Sequence, residues 1–273
     1  MIAKGDREFN QVVGIDLGGG KGKHTAVAVG AVTPAGLEIQ SFGRRAPSGR
    51  PWHDDELVAF LVGLSPGVLV AVDAPLGLPA CLRCMLPACP GVEACPDPAV
   101  QWMCAAGAAR LAAQPAGVRS HKPQVSPYTQ RVCEVLLHAE HEDLVREALG
   151  QGMGPLTARA AHLVRRLAPV FRRDVELIEV YPRAMVHQAV SARAARRYKR
   201  ATEVWETRAG ILEDWSADLT FKTWREESLG SDHCFEAVVC AYAGYCFLAD
   251  GWTRDPAFEP IAALEGWIWR PPT

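Results

Sequence analysis

At 273 residues, with 49% hydrophobic and 22% charged side chains, the chain has the composition of an ordinary globular protein. Its formal net charge of −2 excludes a protein that binds nucleic acid or an anionic membrane through its overall charge. Nine cysteines, an odd number, favour a reducing compartment over a disulfide framework. Because residues 1–10 are polar and no apolar run is long enough to span a bilayer, we expect a cytoplasmic protein.

The first part of the chain predicts strands. The runs Val12–Leu17, Ala26–Val32 and Leu37–Phe42 follow one another closely, which predicts a three-stranded antiparallel meander. A helix is predicted from Asp54, since acidic residues precede apolar residues at helical spacing. The run "GVLVAVD" then ends at Asp73, and its continuous apolarity is typical of a central strand buried on both faces.

The second part predicts mostly helices. Residues 80–128 are rich in Cys, Pro and Gly and are interpreted as an insertion. Helices are expected in "PYTQRVCEVLLHAEHEDLVREALG", in "ARAAHLVRRLAPVF", from Ser191 to Leu212 and from Asp232 to Leu248, with one strand in "VELIEVYP". This order predicts a single α/β domain over residues 1–273, with a mixed five-stranded sheet and helices on both faces.

Carboxylates follow the central strands. Asp16, Asp73 and Glu179 each lie at or near the end of a predicted strand, and such ends meet at one edge of an α/β sheet. Asp232 and Glu236 begin the last strong helix, four residues apart on one face. Clustered carboxylates repel one another unless a cation compensates, so we expect a Mg²⁺ or Mn²⁺ site with Asp16, Asp73 and Asp232 as its ligands. Taken singly, each carboxylate could instead form a turn, a helix cap or an arginine pair.

Four cysteines within fifteen residues form a second candidate site. Cys81, Cys84, Cys89 and Cys95 lie in "CLRCMLPACPGVEAC", where prolines favour a tight loop. Four thiolates are the ligands of a structural zinc ion, which leaves no open position for water. An iron–sulfur cluster also takes four cysteines, although the spacing matches neither common ferredoxin pattern. Loose thiols in a variable loop are the remaining interpretation.

A basic segment suggests contact with a phosphate backbone. Eleven Arg and Lys residues lie between positions 159 and 200, and the densest part is "RAARRYKR". Cations with an aromatic ring that stacks on a base are typical of nucleic-acid binding. The candidates are Arg193, Arg196, Arg197, Tyr198, Lys199 and Arg200, and further contacts are expected around Arg131 in "SPYTQR". A solvated helix face is the alternative.

Several short motifs, in a fixed order over roughly residues 12–271, resemble those of a known protein family. These motifs are "GIDLGGGK", "VAVDAPLGLP", "SPYTQRVCE", "IEVYP", "RYKRATEVWETRAGIL", "DHCFEAVVCAYAGY" and "EGWIWRP". The order resembles the group catalogued as domain of unknown function 429, regarded as predicted nucleases of the ribonuclease H-like superfamily.

The resemblance implies roles for five residues. Asp16 matches the first-strand aspartate and Asp73 the aspartate that ends the fourth strand. Glu179 matches the acidic residue of the "EVYP" strand. Asp232 and Glu236 match the acidic residues of the final helix, although Glu236 stands where an aspartate is expected.

This resemblance implies two-metal hydrolysis of phosphodiester bonds in DNA or RNA, with the carboxylates as ligands. Two alternatives stay open. "GIDLGGG" also resembles the first phosphate loop of sugar kinases and actin-like ATPases, although no second copy of the loop follows. A nucleic-acid-binding module with an inactive acidic site is the other.

Overall fold

The computed structural model describes residues 1–19, 25–113, 125–141, 144, 146–150, 152–200, 202–222 and 224–272. The strands in these ranges are β1 (Ile2–Lys4), β2 (Arg7–Phe9), β3 (Gln11–Asp16), β4 (Ala26–Thr33), β5 (Gly36–Gly43), β6 (Val68–Asp73), β7 (Leu177–Val180), β8 (Leu219–Phe221) and β9 (Ile268–Trp269). The α-helices are α1 (Asp54–Leu64), α2 (Ala80–Arg83), α3 (Pro98–Trp102), α4 (Ala108–Ala112), α5 (Val132–Glu140), α6 (Gly154–Leu167), α7 (Pro182–Ala189), α8 (Ala192–Arg197), α9 (Val204–Asp214), α10 (Arg225–Leu229), α11 (Asp232–Ala249) and α12 (Glu259–Glu265).

Two short helical turns complete the secondary structure of the described ranges. A π-helical turn, Met103–Gly107, joins α3 to α4, and a 3₁₀ turn, Pro256–Phe258, precedes α12. Within the same ranges, no helix combines the length and the apolar character needed to cross a bilayer.

The strands form a large mixed sheet in the order β8-β5-β4-β3-β6-β7-β9, beside a separate β1–β2 hairpin. Strand β4 runs antiparallel to both β3 and β5, which confirms the predicted meander. Strand β6 is parallel to β3 and to β7, as expected for crossover connections. The α/β class is therefore confirmed, whereas the prediction of five strands is wrong, because the described part of the chain forms a sheet of seven.

Helix α11 covers one face of this sheet. Its fourteen buried residues leave little polar surface, which is the pattern of a helix enclosed by other elements. The Ser231 hydroxyl caps the helix by accepting a hydrogen bond from the Cys234 amide over 3.4 Å. Glycines allow the close approach: a Cβ at Gly14 of β3 would lie 2.1 Å from the Ala237 carbonyl oxygen, and one at Gly244 would lie 2.7 Å from Val12 Cγ1.

The chain divides into two compact units. The first comprises Met1–Ala74, His162–Thr253 and Trp269–Thr273 and contains strands β3 to β8 of the large sheet and α11. The second comprises Pro75–Ala161 and Arg254–Ile268, so it includes the Cys- and Pro-rich segment predicted as an insertion. The core of this second unit is helical and includes Val100, Met103, Val135 and other buried residues of α3, α5 and α12.

Candidate metal centre

Strand register places two aspartates side by side. Asp16 of β3 and Asp73 of β6 are direct partners in the parallel ladder, so their side chains leave the same face of the sheet. Gly14, two residues before Asp16, has the same parity and lies against the backbone of α11. Both carboxylates therefore leave the sheet on the face that α11 covers.

Helix α11 supplies the third carboxylate. Glu236 lies four residues into the helix, and only 3% of its surface is exposed. Each of Asp16, Asp73 and Glu236 places a carboxylate oxygen within 4.8 Å of the others. Among the residues that the structure describes, this is the one group of three or more His, Cys, Asp or Glu side chains with such close ligand atoms.

The carboxylate of Glu236 is held by two consecutive residues that follow α8. The Tyr198 hydroxyl donates a hydrogen bond to Glu236 Oε1 over 2.7 Å, and Lys199 Nζ lies 2.7 Å from Oε2. Burial raises the pKa of Glu236 to about 7; Lys199 acts in the opposite direction, and the charges of Asp73 and Asp16 raise it further. This balance indicates a crowded anionic site in which added positive charge is favourable.

Asp16 is oriented by a histidine from α11. His233 Nδ1 donates to Asp16 Oδ2 over 2.5 Å, and this bond raises the pKa of His233 despite its partial burial. His233 was not predicted as a site residue from the sequence. The one local feature that could have indicated it is its position directly after Asp232. Lys199 was assigned to the basic segment. Its ion pair with Glu236, 37 positions away, cannot be predicted from a local sequence pattern.

Two of the predicted carboxylates lie outside the group of three. Asp232 is the first residue of α11, and its Oδ1 accepts a hydrogen bond from the adjacent His233 amide over 3.0 Å. Glu179 of β7 is paired with Val72, the residue before Asp73, so it leaves the opposite face of the sheet. Its side chain is buried there, with 1% exposed. The structure therefore brings Glu236 next to the two strand aspartates. Asp232 and Glu179 do not belong to this group.

Two predicted nucleic-acid contacts must be corrected because their side chains are buried. Tyr198 is 1% exposed and bonds to Glu236, so its ring is not available to stack on a base. Arg131 is fully buried, with its guanidinium 2.8 Å from Glu134 Oε1 and donating to the Glu265 carbonyl oxygen over 3.2 Å. Arg131 therefore stabilises the core of the second unit.

The other predicted contacts divide by exposure. Arg193, Arg196 and Arg200 are exposed, on or just beyond α8. Lys199 is also exposed, although its ammonium group pairs with Glu236, whereas Arg197 is half-buried and forms an ion pair with Glu203. Only part of the basic segment is thus directed to solvent.

The four cysteines predicted to bind zinc lie together in the second unit, where they line one cavity. No three of them bring their sulfur atoms within 4.8 Å of one another. The phosphate loop of the kinase alternative, "GIDLGGG", ends at Gly20, which lies outside the described residues.

A comparison with known protein families identifies the family of this chain. A family model described as Protein of unknown function (DUF429) matches residues 14–257, a range that contains Asp16, Asp73 and Glu236. The chain belongs to this family. No curated protein and no solved structure matched it.

Proposed function

We propose that this protein is a divalent-metal-dependent nuclease of the ribonuclease H-like type, which hydrolyses phosphodiester bonds of nucleic acid. One observation carries the proposal: Asp16, Asp73 and Glu236 direct carboxylate oxygens to within 4.8 Å of one another from two adjacent strands and a covering helix. The five central strands, β5-β4-β3-β6-β7, also have the meander followed by crossover strands that the resemblance implies.

The donor set fits Mg²⁺ or Mn²⁺. Three carboxylates provide the hard oxygen ligands that these ions prefer, and the same set lacks the sulfur or nitrogen that softer ions select. The raised pKa of Glu236 indicates that its charged form lacks full compensation in the protein alone. A divalent cation held by Asp16, Asp73 and Glu236 would compensate it.

A bound divalent cation supplies Lewis-acid stabilisation of the charge that develops during phosphodiester hydrolysis. The remaining work belongs to residues of the chain. Tyr198 and Lys199 fix the two oxygens of Glu236, and His233 fixes Asp16, so the ligands are oriented before substrate arrives. Exposed arginines on α8 supply positive charge for the phosphate backbone on the segment that also carries Tyr198 and Lys199.

The test is cleavage of labelled DNA and RNA strands, single and double, with Mn²⁺ or Mg²⁺. We expect Asp73→Asn to lower the cleavage rate at least about 100-fold, because it removes a metal ligand. Binding of the strand should be unchanged or tighter, since a negative charge facing phosphate is lost. Glu226→Gln is the matched control: Glu226 is an exposed carboxylate of α10, and its loss should leave cleavage unchanged.

The same assays separate the alternatives. A binding module with an inactive site would bind strands without cutting them at any metal concentration. A kinase-like enzyme would bind ATP and neither bind nor cut strands. Either result for the wild-type protein would overturn the nuclease proposal.

A further inference from the structure

The segment of residues 81–97 has almost no core of its own. Beyond the single turn of α2 it contains no regular helix or strand, and nearly all of its residues are exposed. Its large apolar side chains face solvent: Met85 is 94% exposed, and Leu82, Leu86 and Val92 are each about half exposed. Only Cys95 packs partly against the helical core of the second unit. Hydrophobic burial therefore does not account for the fold of this segment.

Four thiols converge where that core is missing. Cys81, Cys84, Cys89 and Cys95 all line a single cavity of about 590 Å³. Three of the four are exposed and Cys95 is half-buried, so the cavity is open to an incoming ion.

We propose that Cys81, Cys84, Cys89 and Cys95 bind a thiophilic metal centre, and that this centre fixes the fold of residues 81–97 in place of a hydrophobic core. Four thiolate–metal bonds cross-link a segment that lacks buried apolar contacts, in the way that metals stabilise small domains. All four cysteines serve as ligands, so the site has a structural role. The proposal does not depend on the nuclease proposal, because it concerns other residues in the other compact unit.

An arginine ties this segment to the rest of the second unit. Arg83 lies between Cys81 and Cys84 in the chain and lines the same cavity. Its guanidinium is 2.8 Å from Asp97 Oδ2 and 3.6 Å from Glu265 Oε1, a carboxylate that is 1% exposed. Asp97 also caps α3 by accepting a hydrogen bond from the Ala99 amide over 2.9 Å. Arg83 therefore links the two ends of the segment at the wall of the cavity.

The spacing of the sulfur atoms distinguishes two occupants. Zinc–sulfur bonds of about 2.3 Å hold four tetrahedral sulfurs about 3.8 Å apart, so the cysteines would have to close in from their present separation. An iron–sulfur cluster divides its four thiolates among four iron atoms in a 4Fe–4S centre, or two on each of two irons in a 2Fe–2S centre, and so spreads them further apart. Both occupants share the ligand chemistry of four thiolates, and metal content tells them apart.

The first experiment is elemental analysis of the full-length protein, purified without oxygen from cells supplied with zinc and iron. We expect either about one equivalent of zinc, or about two or four irons with equal sulfide and a visible absorption band. Changing Cys81 and Cys84 together to Ser should reduce the metal content at least ten-fold. Cys104→Ser is the matched control, because Cys104 is an exposed thiol of the same unit outside the cavity, and it should keep the full content.

A second measurement uses the wild-type protein and does not depend on the variants folding. Stripping the metal with a chelator should release four additional reactive thiols and increase proteolysis at Arg83 at least ten-fold. Retention of the metal by the Cys81/Cys84 double variant would overturn the proposal. Wild-type protein without zinc or iron, and with unchanged proteolysis in chelator, would overturn it as well.

Discussion

Charge repulsion is the dominant feature of the three-carboxylate site at the scale of single residues. Asp16, Asp73 and Glu236 place carboxylate oxygens within 4.8 Å of one another, with Lys199 beside Glu236 and His233 bonded to Asp16. Two unit charges at about 4 Å repel by about 4 kcal/mol at the effective dielectric constant of a protein surface. This repulsion is a local electrostatic cost of the fold, and a divalent cation bound there would reduce it.

Removing one of these charges should separate stability from metal binding. We expect Asp16→Asn to leave the free energy of unfolding of the metal-free protein unchanged or raised by about 1 kcal/mol, because repulsion within the group decreases. The affinity for Mn²⁺ should fall at least ten-fold, because a charged ligand is lost. Urea denaturation measures the first quantity and isothermal titration calorimetry the second. Unchanged Mn²⁺ affinity would remove Asp16 from the proposed site.

The site residues were predictable from the sequence only as far as local patterns reach. Asp16 and Asp73 follow continuous apolar strands, and Glu236 follows a helix start, so each is visible within a short window. Glu179 also follows an apolar strand, so its sequence pattern is the same. The face of the sheet on which its side chain lies depends on the β6–β7 register, which no local pattern specifies. Tyr198 and Arg131 have the polarity of surface residues and are buried by distant partners, Glu236 and Glu265.

The packing of α11 on β3 positions the third carboxylate at the scale of elements. Gly14 lets the helix backbone lie directly on the strand, and the four-residue step from Asp232 then places Glu236 over the two aspartates. Any side chain at position 14 displaces the helix, and with it the Glu236 carboxylate.

A single methyl group tests this packing. Gly14→Ala should lower the free energy of unfolding by about 3 kcal/mol, since the new Cβ would lie 2.1 Å from the Ala237 carbonyl oxygen and 2.2 Å from the Ala241 amide nitrogen. Gly43→Ala is the matched control in the same sheet, because a Cβ added there would have no atom within 4 Å, and its change should stay within about 0.5 kcal/mol. Equal stability of the two variants in urea denaturation would show that α11 does not depend on the small residue at position 14.

Long elements were predictable from the sequence only in part: the helix predicted from Ser191 to Leu212 is observed as two helices, α8 and α9. The predicted helix over Asp232–Leu248 is observed as α11, and the strand ending at Asp73 is observed as β6. Strands β8 and β9 contain three and two residues, too few to show alternation, so the sheet was underestimated.

The helix predicted to continue through "HAEHEDLVREALG" ends at Glu140. A buried carboxylate accounts for part of this difference. Glu134 accepts hydrogen bonds from the amides of Arg131 and Ala148 over 2.9 and 3.0 Å, which holds the later segment back against α5. Such tertiary hydrogen bonds override the local helical pattern.

The distribution of charge matters more than its sum at the scale of the whole molecule. A net charge of −2 gives no general attraction to nucleic acid, so binding requires a local cationic surface. Arg193 and Arg200 are exposed beside the residues that hold Glu236, whereas Arg197 is already paired with Glu203. Backbone binding should therefore depend on the first two arginines and little on the third.

This division gives a prediction with a control inside the same segment. Replacing both Arg193 and Arg200 with Ala should weaken binding to DNA or RNA of any sequence and flatten the dependence of log K on log salt by about 1 to 2 units, because a protein that neutralises fewer phosphates releases fewer counterions. Arg197→Ala should change that slope by less than about 0.5 unit, since its charge is already compensated by Glu203. Cleavage at saturating strand concentration should persist in both, because the carboxylates are unchanged.

Fluorescence anisotropy on short labelled strands at several salt concentrations measures the slopes. Equal slopes for the double variant and the wild-type protein would show that this surface does not bind phosphate and that strands approach the carboxylates from elsewhere.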